Sequence, residues 1–235
     1  MKKTSEHKDV EIIPAVMPTS YADLQQKMGR IEGLVPWVHL DMMDGFFVPS
    51  TSWPYHAEDV VAFTEQVQRK KVLPYTETMH YEIDLMVEHP EEEISKWYAL
   101  GVRRFIVHFE SLDSADALEH ILLEYSKEGV SEVGIAIGME TPISEIEPIL
   151  KEVDFVHFMA IKKIGFQGEP FDPAVYDKIK SLRKVYKKGI ISVDGGVSLE
   201  NARELLNAGV DRLISGSVIF NSESIPDILH KFQSL

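Results

Sequence analysis

Short apolar segments and amphipathic segments alternate along this chain eight times, and nothing else in it limits the fold so tightly. The apolar segments are predicted strands at Glu11–Met17, Trp37–Met42, Tyr81–Val87, Arg103–Phe109, Glu132–Gly138, Phe155–Ile161, Gly189–Val193 and Arg212–Val218. They are rich in Val and Ile and often apolar on both faces, the pattern of strands buried in a parallel sheet. Between them run helical stripes: Tyr21, Leu24, Met28 and Ile31; Val60, Phe63 and Val67; Leu118, Ile121, Leu122 and Tyr125; Val175, Ile179, Leu182 and Tyr186. Residues three and four apart share a helix face, so each stripe is expected to face the core. Thr141-Pro142, Asp172-Pro173 and Ser198 mark helix starts. Eight such units in 235 residues, with no linker between them, predict an α/β protein. The expected architecture is a single (β/α)8 TIM barrel over 1–235, with 1–9 a polar N-terminal tail.

Composition narrows the function. No apolar run approaches the roughly 20 residues that span a membrane, and the tail lacks the apolar core of a signal peptide. The chain has no cysteine, which removes disulfides, thiolate metal sites and a Cys nucleophile, and a cytoplasmic address is expected. A net charge of -14 argues against nucleic-acid or anionic-membrane partners. A phosphorylated ligand would need a locally positive pocket, made of backbone N–H groups or a few lysines.

Barrel enzymes work at the carboxyl ends of their strands. In W-V-H-L-D-M-M-D-G-F-F-V-P, from Trp37 to Pro49, His39 and Asp41 are two residues apart on one strand and so share a face. An imidazole and a carboxylate converging there can bind a metal, move a proton, or both. Asp84, His108 with Glu110, and Asp194 reach the same end from other strands. Asp194 is followed by Gly195-Gly196, and the eighth strand ends at Gly216-Ser217. Small residues with free N–H groups after two successive strands make a phosphate cradle. Lys162 and Lys163 follow the sixth strand, where a lysine can form a Schiff base, offset carboxylate charge or reach a phosphate. His80 shares parity with Glu82 and Asp84 and is a possible substitute ligand, whereas His157 reads as a satisfied core residue. His7, His56, His89, His120 and His230 fall in loops or on helices. The segment 71–80 looks like an insertion before the third strand, either a surface excursion or part of a lid or subunit contact.

These motifs, in this order, resemble the ribulose-phosphate 3-epimerase family over about Ile12 to Phe220. His39, Asp41, Met43, Asp44 and Gly45 match its H-x-D-x-M-D-G motif, and Val48-Pro49 its F-V-P. Leu85-Met86 match D-x-H-L-M, whose His is Asp84 here and whose Asp is Glu82. His108 and Glu110 match H-x-E, and Met159 the sixth-strand methionine. Gly165-Phe166 with Gly168 match G-F-G-G, Asp194 to Gly196 match V-D-G-G, and Gly216-Ser217 match the last phosphate motif.

The resemblance implies an isomerase that removes and returns a proton at the carbon next to the ketone of a ketose phosphate. It implies a divalent metal on His39, Asp41, Asp84 and Asp194, with Asp41 and Asp194 as acid and base. Met43, Met86 and Met159 would cushion the planar intermediate, or simply fill the core. Gly165, Phe166, Gly168, Gly195, Gly196, Gly216 and Ser217 would hold the sugar phosphate. Among Mn, Mg, Fe and Zn, one histidine with three carboxylates suits Mn or Mg best.

Some positions depart from the family pattern. Its first-strand serine is Ala15 here, its L-N-P-A-T-P reads Ile137 to Pro142, and Lys162-Lys163-Ile164 replace N-P after the sixth strand. A Schiff-base aldolase and a non-catalytic phosphosugar-binding barrel are the alternatives. The D-x-K-x-x-D of related decarboxylases and hexulose-phosphate synthases is absent from D-M-M-D. Barrels of the family commonly form oligomers, so a homo-oligomer is expected.

Overall fold

All eight predicted strands form, and they pair in chain order into a closed parallel barrel: β1 (Glu11–Val16), β2 (Trp37–Met43), β3 (His80–Met86), β4 (Arg104–His108), β5 (Glu132–Ile137), β6 (Phe155–Met159), β7 (Ile190–Asp194) and β8 (Arg212–Ser215). The structure is a computed structural model and describes residues 10–126 and 131–235. The expected tail at 1–9, with His7, lies outside the described residues. Helices follow the strands as α1 (Tyr21–Ile31), α2 (Val60–Gln68), α3 (Pro90–Ala99), α4 (Ala115–Ile121), α5 (Ile143–Ile146), α6 (Val175–Val185), α7 (Leu199–Ala208), α8 (Ser217–Phe220) and α9 (Ile225–Gln233). No helix among the described residues is long and apolar enough to cross a membrane.

Several strands stop one to three residues earlier than predicted. Val87, Phe109, Gly138, Ile161 and Val218 all leave the sheet. Their apolar character belongs to the loops that close over the carboxyl face, and at β8 the chain turns at Gly216 straight into α8. Pro142 precedes α5 in extended backbone. Ser198 and Asn201 form a reciprocal capping box that starts α7. The predicted start at Asp172-Pro173 is a turn, and α6 begins at Val175.

Outward-facing strand residues such as Leu40, Ile83, Val156 and Leu213 merge with Leu24, Trp97, Ile179 and Leu229 of the helices into one buried core. The α2 stripe is the exception: Phe63 is buried but Val60 is 48% exposed. Val60, Phe63 and Val67 instead line a side groove with Pro54 and Tyr55. The segment 71–80 enters β3 at its amino-terminal end, with Leu73 N–H donating to Leu100 O and the Tyr81 hydroxyl to Pro74 O. That end is opposite the carboxyl face, which removes the lid reading.

Inside the barrel the amino-terminal layer is charged. Arg104 donates to Glu82 (2.7 Å) and Glu132 (3.0 Å), and Arg212 to Glu11 and Glu132 (2.8 Å each). The Arg104 guanidinium lies 3.7 Å from the Trp37 ring centroid and that of Arg212 4.9 Å from Phe155. Each buried cation thus meets carboxylates and an aromatic face, which offsets the loss of water.

Candidate active site

The second and third strands set the register of the site. Asp41 sits opposite Asp84 and Met43 opposite Met86 on the β2–β3 pair, and Met159 opposite Asp194 on β6–β7. Period-two alternation turns His39, Asp41 and Asp84 into the barrel, where ligand atoms of all three lie within 4.8 Å of one another. Asp194 is not part of that group; it faces the cavity above it from β7.

His39 is held from below. Its Nδ1 lies 2.7 Å from Glu82 Oε1, and Arg104 donates to the other oxygen of Glu82. Its Nε2 lies 3.2 Å from Asp41 Oδ1. Burial alone would raise the Glu82 carboxyl and lower the His39 imidazole. Hydrogen bonds reverse both: Glu82 is held down at about 2 by His39, with help from Arg104, and His39 is raised well above its usual value by Asp41 first and Glu82 second. Asp84 is fully buried, yet neither of its oxygens has an aligned hydrogen-bond partner among the described residues, and neither has either ring nitrogen of His108. His108 Nε2 nevertheless lies 2.9 Å from Asp84 Oδ1. Burial opposes charge on both, and their mutual attraction wins, lowering Asp84 and raising His108.

Desolvation pushes the other carboxyls up. Asp41 is raised by burial and by Asp84, partly offset by His39. Asp194 reaches about 7 through burial and the charge of Asp41. A cluster with this charge and these unpartnered oxygens fits a cation. His39 Nδ1 anchored on a carboxylate is the arrangement that orients a metal-bound imidazole, and the oxygen-rich donor set suits a hard divalent ion such as Mn or Mg.

Above the cluster a cavity of about 310 Å³ opens on the carboxyl face. Asp41 and Asp194 reach it, as do Met86 and Met159; Met43 is not among its lining residues and packs with Val48 and Met86. Gly165, Phe166, Gly168, Gly195, Gly196, Gly216 and Ser217 line its far side. A side chain at Gly216 would approach Ala15 O to 2.9 Å, and one at Gly196 (φ +68°) would approach Phe171 equally closely, so both turns require glycine. Lys162 and Lys163 are exposed and are not among the lining residues, whose charged members are Asp41, Glu169 and Asp194.

Three positions go beyond the sequence reading. Met17 lines the cavity, which its spacing of two from Ala15 could have indicated. Glu82 holds His39, a contact that depends on inter-strand register. Asp44 is structural, accepting from Phe46, Phe47 and Glu88 N–H and so fixing the loop after β2. His80 is exposed at the amino-terminal end of the barrel, away from the cluster. His157 Nδ1 meets Ser192 Oγ at 3.1 Å, but its Nε2 has no partner among the described residues, so it is half satisfied. Burial holds it down at about 4.

The family model described as "Ribulose-phosphate 3 epimerase family" matches residues 11–220. The chain is 31% identical to the ribulose-phosphate 3-epimerase of Chlamydia muridarum, covering 92% of this chain and 90% of that one. It is 29% identical to the chloroplastic ribulose-5-phosphate-3-epimerase of Arabidopsis thaliana, covering 94% and 75%. A solved structure of KGPDC from Streptococcus mutans superposes with a TM-score of 0.67 over 96% of both chains; at 12% identity this likeness speaks for the fold alone. With its barrel, its motifs and this match over most of its length, the chain belongs to the ribulose-phosphate 3-epimerase family of carbohydrate-phosphate epimerases.

Proposed function

We propose that the protein epimerises a ketose phosphate at the carbon next to the ketone, with ribulose 5-phosphate the first candidate, as the names of its relatives suggest. One observation carries the reading: Asp41 and Asp194 face one cavity from β2 and β7, strands three steps apart around the barrel. Two carboxyls on different walls can reach opposite faces of one carbon. The ionised one takes the C3 proton, the electron pair moves toward the C2 carbonyl oxygen to give an enediolate, and the protonated one returns a proton to the other face. The elevated Asp194 favours a state in which one of the pair keeps its proton while the other is charged.

Met17, Met86 and Met159 offer the planar intermediate a soft, uncharged wall. Backbone N–H groups at Gly195, Gly196, Gly216 and Ser217, with the Gly165–Gly168 loop, would receive the phosphate, since no lysine or arginine is among the described lining residues. His39, Asp41 and Asp84, whose ligand atoms converge, would hold a divalent cation, with Asp194 facing it from the cavity as a further candidate ligand; the cation when bound would supply Lewis-acid stabilisation of negative oxygen. The Schiff-base alternative lacks support, because both lysines stand outside the cavity.

The test is incubation of metal-loaded protein with ribulose 5-phosphate in D2O, following the C3 proton by NMR. Loss of that signal is expected, slowed about 10²–10⁴-fold by Asp194→Asn. No exchange by folded protein, with this substrate or six-carbon ketose phosphates, would overturn the epimerase and favour a binding barrel.

A further inference from the structure

The chain has no cysteine, so its thioethers are the side chains that a hydroperoxide attacks first. Most of them are out of reach: Met28, Met42, Met43, Met79, Met86 and Met159 are all exposed by 2% or less. Among the described residues only Met17 and Met139 are half-buried. The two differ in place. Met17 lines the cavity with Asp41 and Asp194, whereas Met139, in the loop after β5, packs against the core and is not among the lining residues.

Met17 is held at the cavity. Its carbonyl accepts from Lys27 Nζ (3.3 Å), and the next carbonyl, of Pro18, accepts from Trp53 N–H (2.9 Å), so the backbone is tied at two successive residues. Its side chain packs against Met43, Val48 and Met86, whose side chains have no hydrogen-bond donor to offer. An oxygen added to its sulfur would be left unpaired in that apolar cluster and would turn toward the cavity instead. There it takes up room, and the negative end of its dipole shares the space with Asp41 and with the negative oxygens of an enediolate.

We propose that Met17 is an oxidation site through which a hydroperoxide reversibly closes the cavity to its ketose phosphate. The sulfur lone pair attacks one peroxide oxygen, the S–O bond forms as the O–O bond breaks, and a proton passes to the departing oxygen. The thioether is thereby oxidised by two electrons to the sulfoxide, and hydrogen peroxide is reduced to water. The inference rests on the proposed function for what is lost, but not for where the oxygen is taken up.

Protein loaded with Mg(II), which has no redox chemistry of its own, is treated with hydrogen peroxide, with and without ribulose 5-phosphate. Peptide masses locate the added oxygen, and ribulose 5-phosphate affinity and C3 exchange are measured once the peroxide is removed. Met17 and Met139 are expected to gain oxygen about tenfold faster than the buried methionines, and ribulose 5-phosphate to slow Met17 alone. Affinity and exchange should fall about tenfold in step with Met17, and return when methionine sulfoxide reductase and dithiothreitol remove the oxygen as water. Each variant is compared with its own untreated activity: Met17→Leu should keep that activity under peroxide, and Met139→Leu should lose it as the natural protein does. If Met17→Leu does not fold, the time courses of Met17 and Met139 in the natural protein decide which of the two the loss follows. Full oxidation of Met17 with affinity and exchange intact overturns the inference, as does an equal loss in Met17→Leu or a loss that follows Met139. No exchange before treatment, with ribulose 5-phosphate bound and its affinity lost on oxidation, removes the epimerase reading and leaves this one intact; no binding before treatment overturns both.

Discussion

Asp194 is the residue at which pH should act most visibly. In the metal-free protein its carboxyl titrates near 7, through burial and the charge of Asp41, against an ordinary value of 3.8. Below about pH 4 folded and unfolded chains both carry the proton, and between about 4 and 7 only the folded chain does. Stability must therefore fall as pH rises through that window, by roughly 2–4 kcal/mol from this group, and level off above 7. Asp194→Asn lacks this slope, so the variant should gain on the natural protein from pH 4 to 8 in urea titrations; parallel curves would refute the assignment. The pairing of His39 with Asp41 was legible in the sequence because parity within one strand is enough to give it. Glu82 beneath His39 was not, because their contact crosses two strands whose register no local pattern encodes.

At the scale of the element, the charged end of the barrel is what pattern reading missed. Arg104, Glu132 and Arg212 begin or flank predicted strands and resemble ordinary polar ends, yet they close the barrel interior. Replacing Arg104 with Met would leave Glu82 buried without its cation, which should cost about 3–5 kcal/mol in denaturant unfolding. On β5, Gly134 leaves the space that Phe155 fills: an added Cβ would lie 2.3 Å from the ring. Gly134→Ala should therefore cost about 1–3 kcal/mol, measured as a lowered melting temperature, with little effect on the distant cavity. The exposed Val60 on α2 carries the opposite lesson: a correct helical period does not say how deeply the stripe is buried.

For the whole molecule, eight alternating units were enough to indicate a closed barrel, because parallel strands need crossovers and closure leaves no edge. The carboxyl face followed from that topology, whereas the choice between the readings of segment 71–80 needed the end of the barrel at which it sits, which no local pattern gives. Since the cation would bind the folded chain alone, Mn(II) at a hundred times its Kd should raise unfolding stability by about 2.7 kcal/mol, and chelation should reverse the gain. An unchanged melting curve would count against the centre.

The cavity wall, with carboxylates and no lysine or arginine among its described residues, also has a kinetic consequence. A cleft lined by cations draws a phosphorylated ligand in by long-range attraction, and added salt weakens it. On the proposed function, a phosphorylated sugar would approach a chain of charge -14 and be received by neutral amides, which act only at contact. Salt then screens repulsion instead of attraction. Raising an inert, non-coordinating salt from about 20 to about 200 mM should lower KM or leave it unchanged, and a KM that climbs steeply with salt would reveal a cation guiding the substrate from outside the cavity.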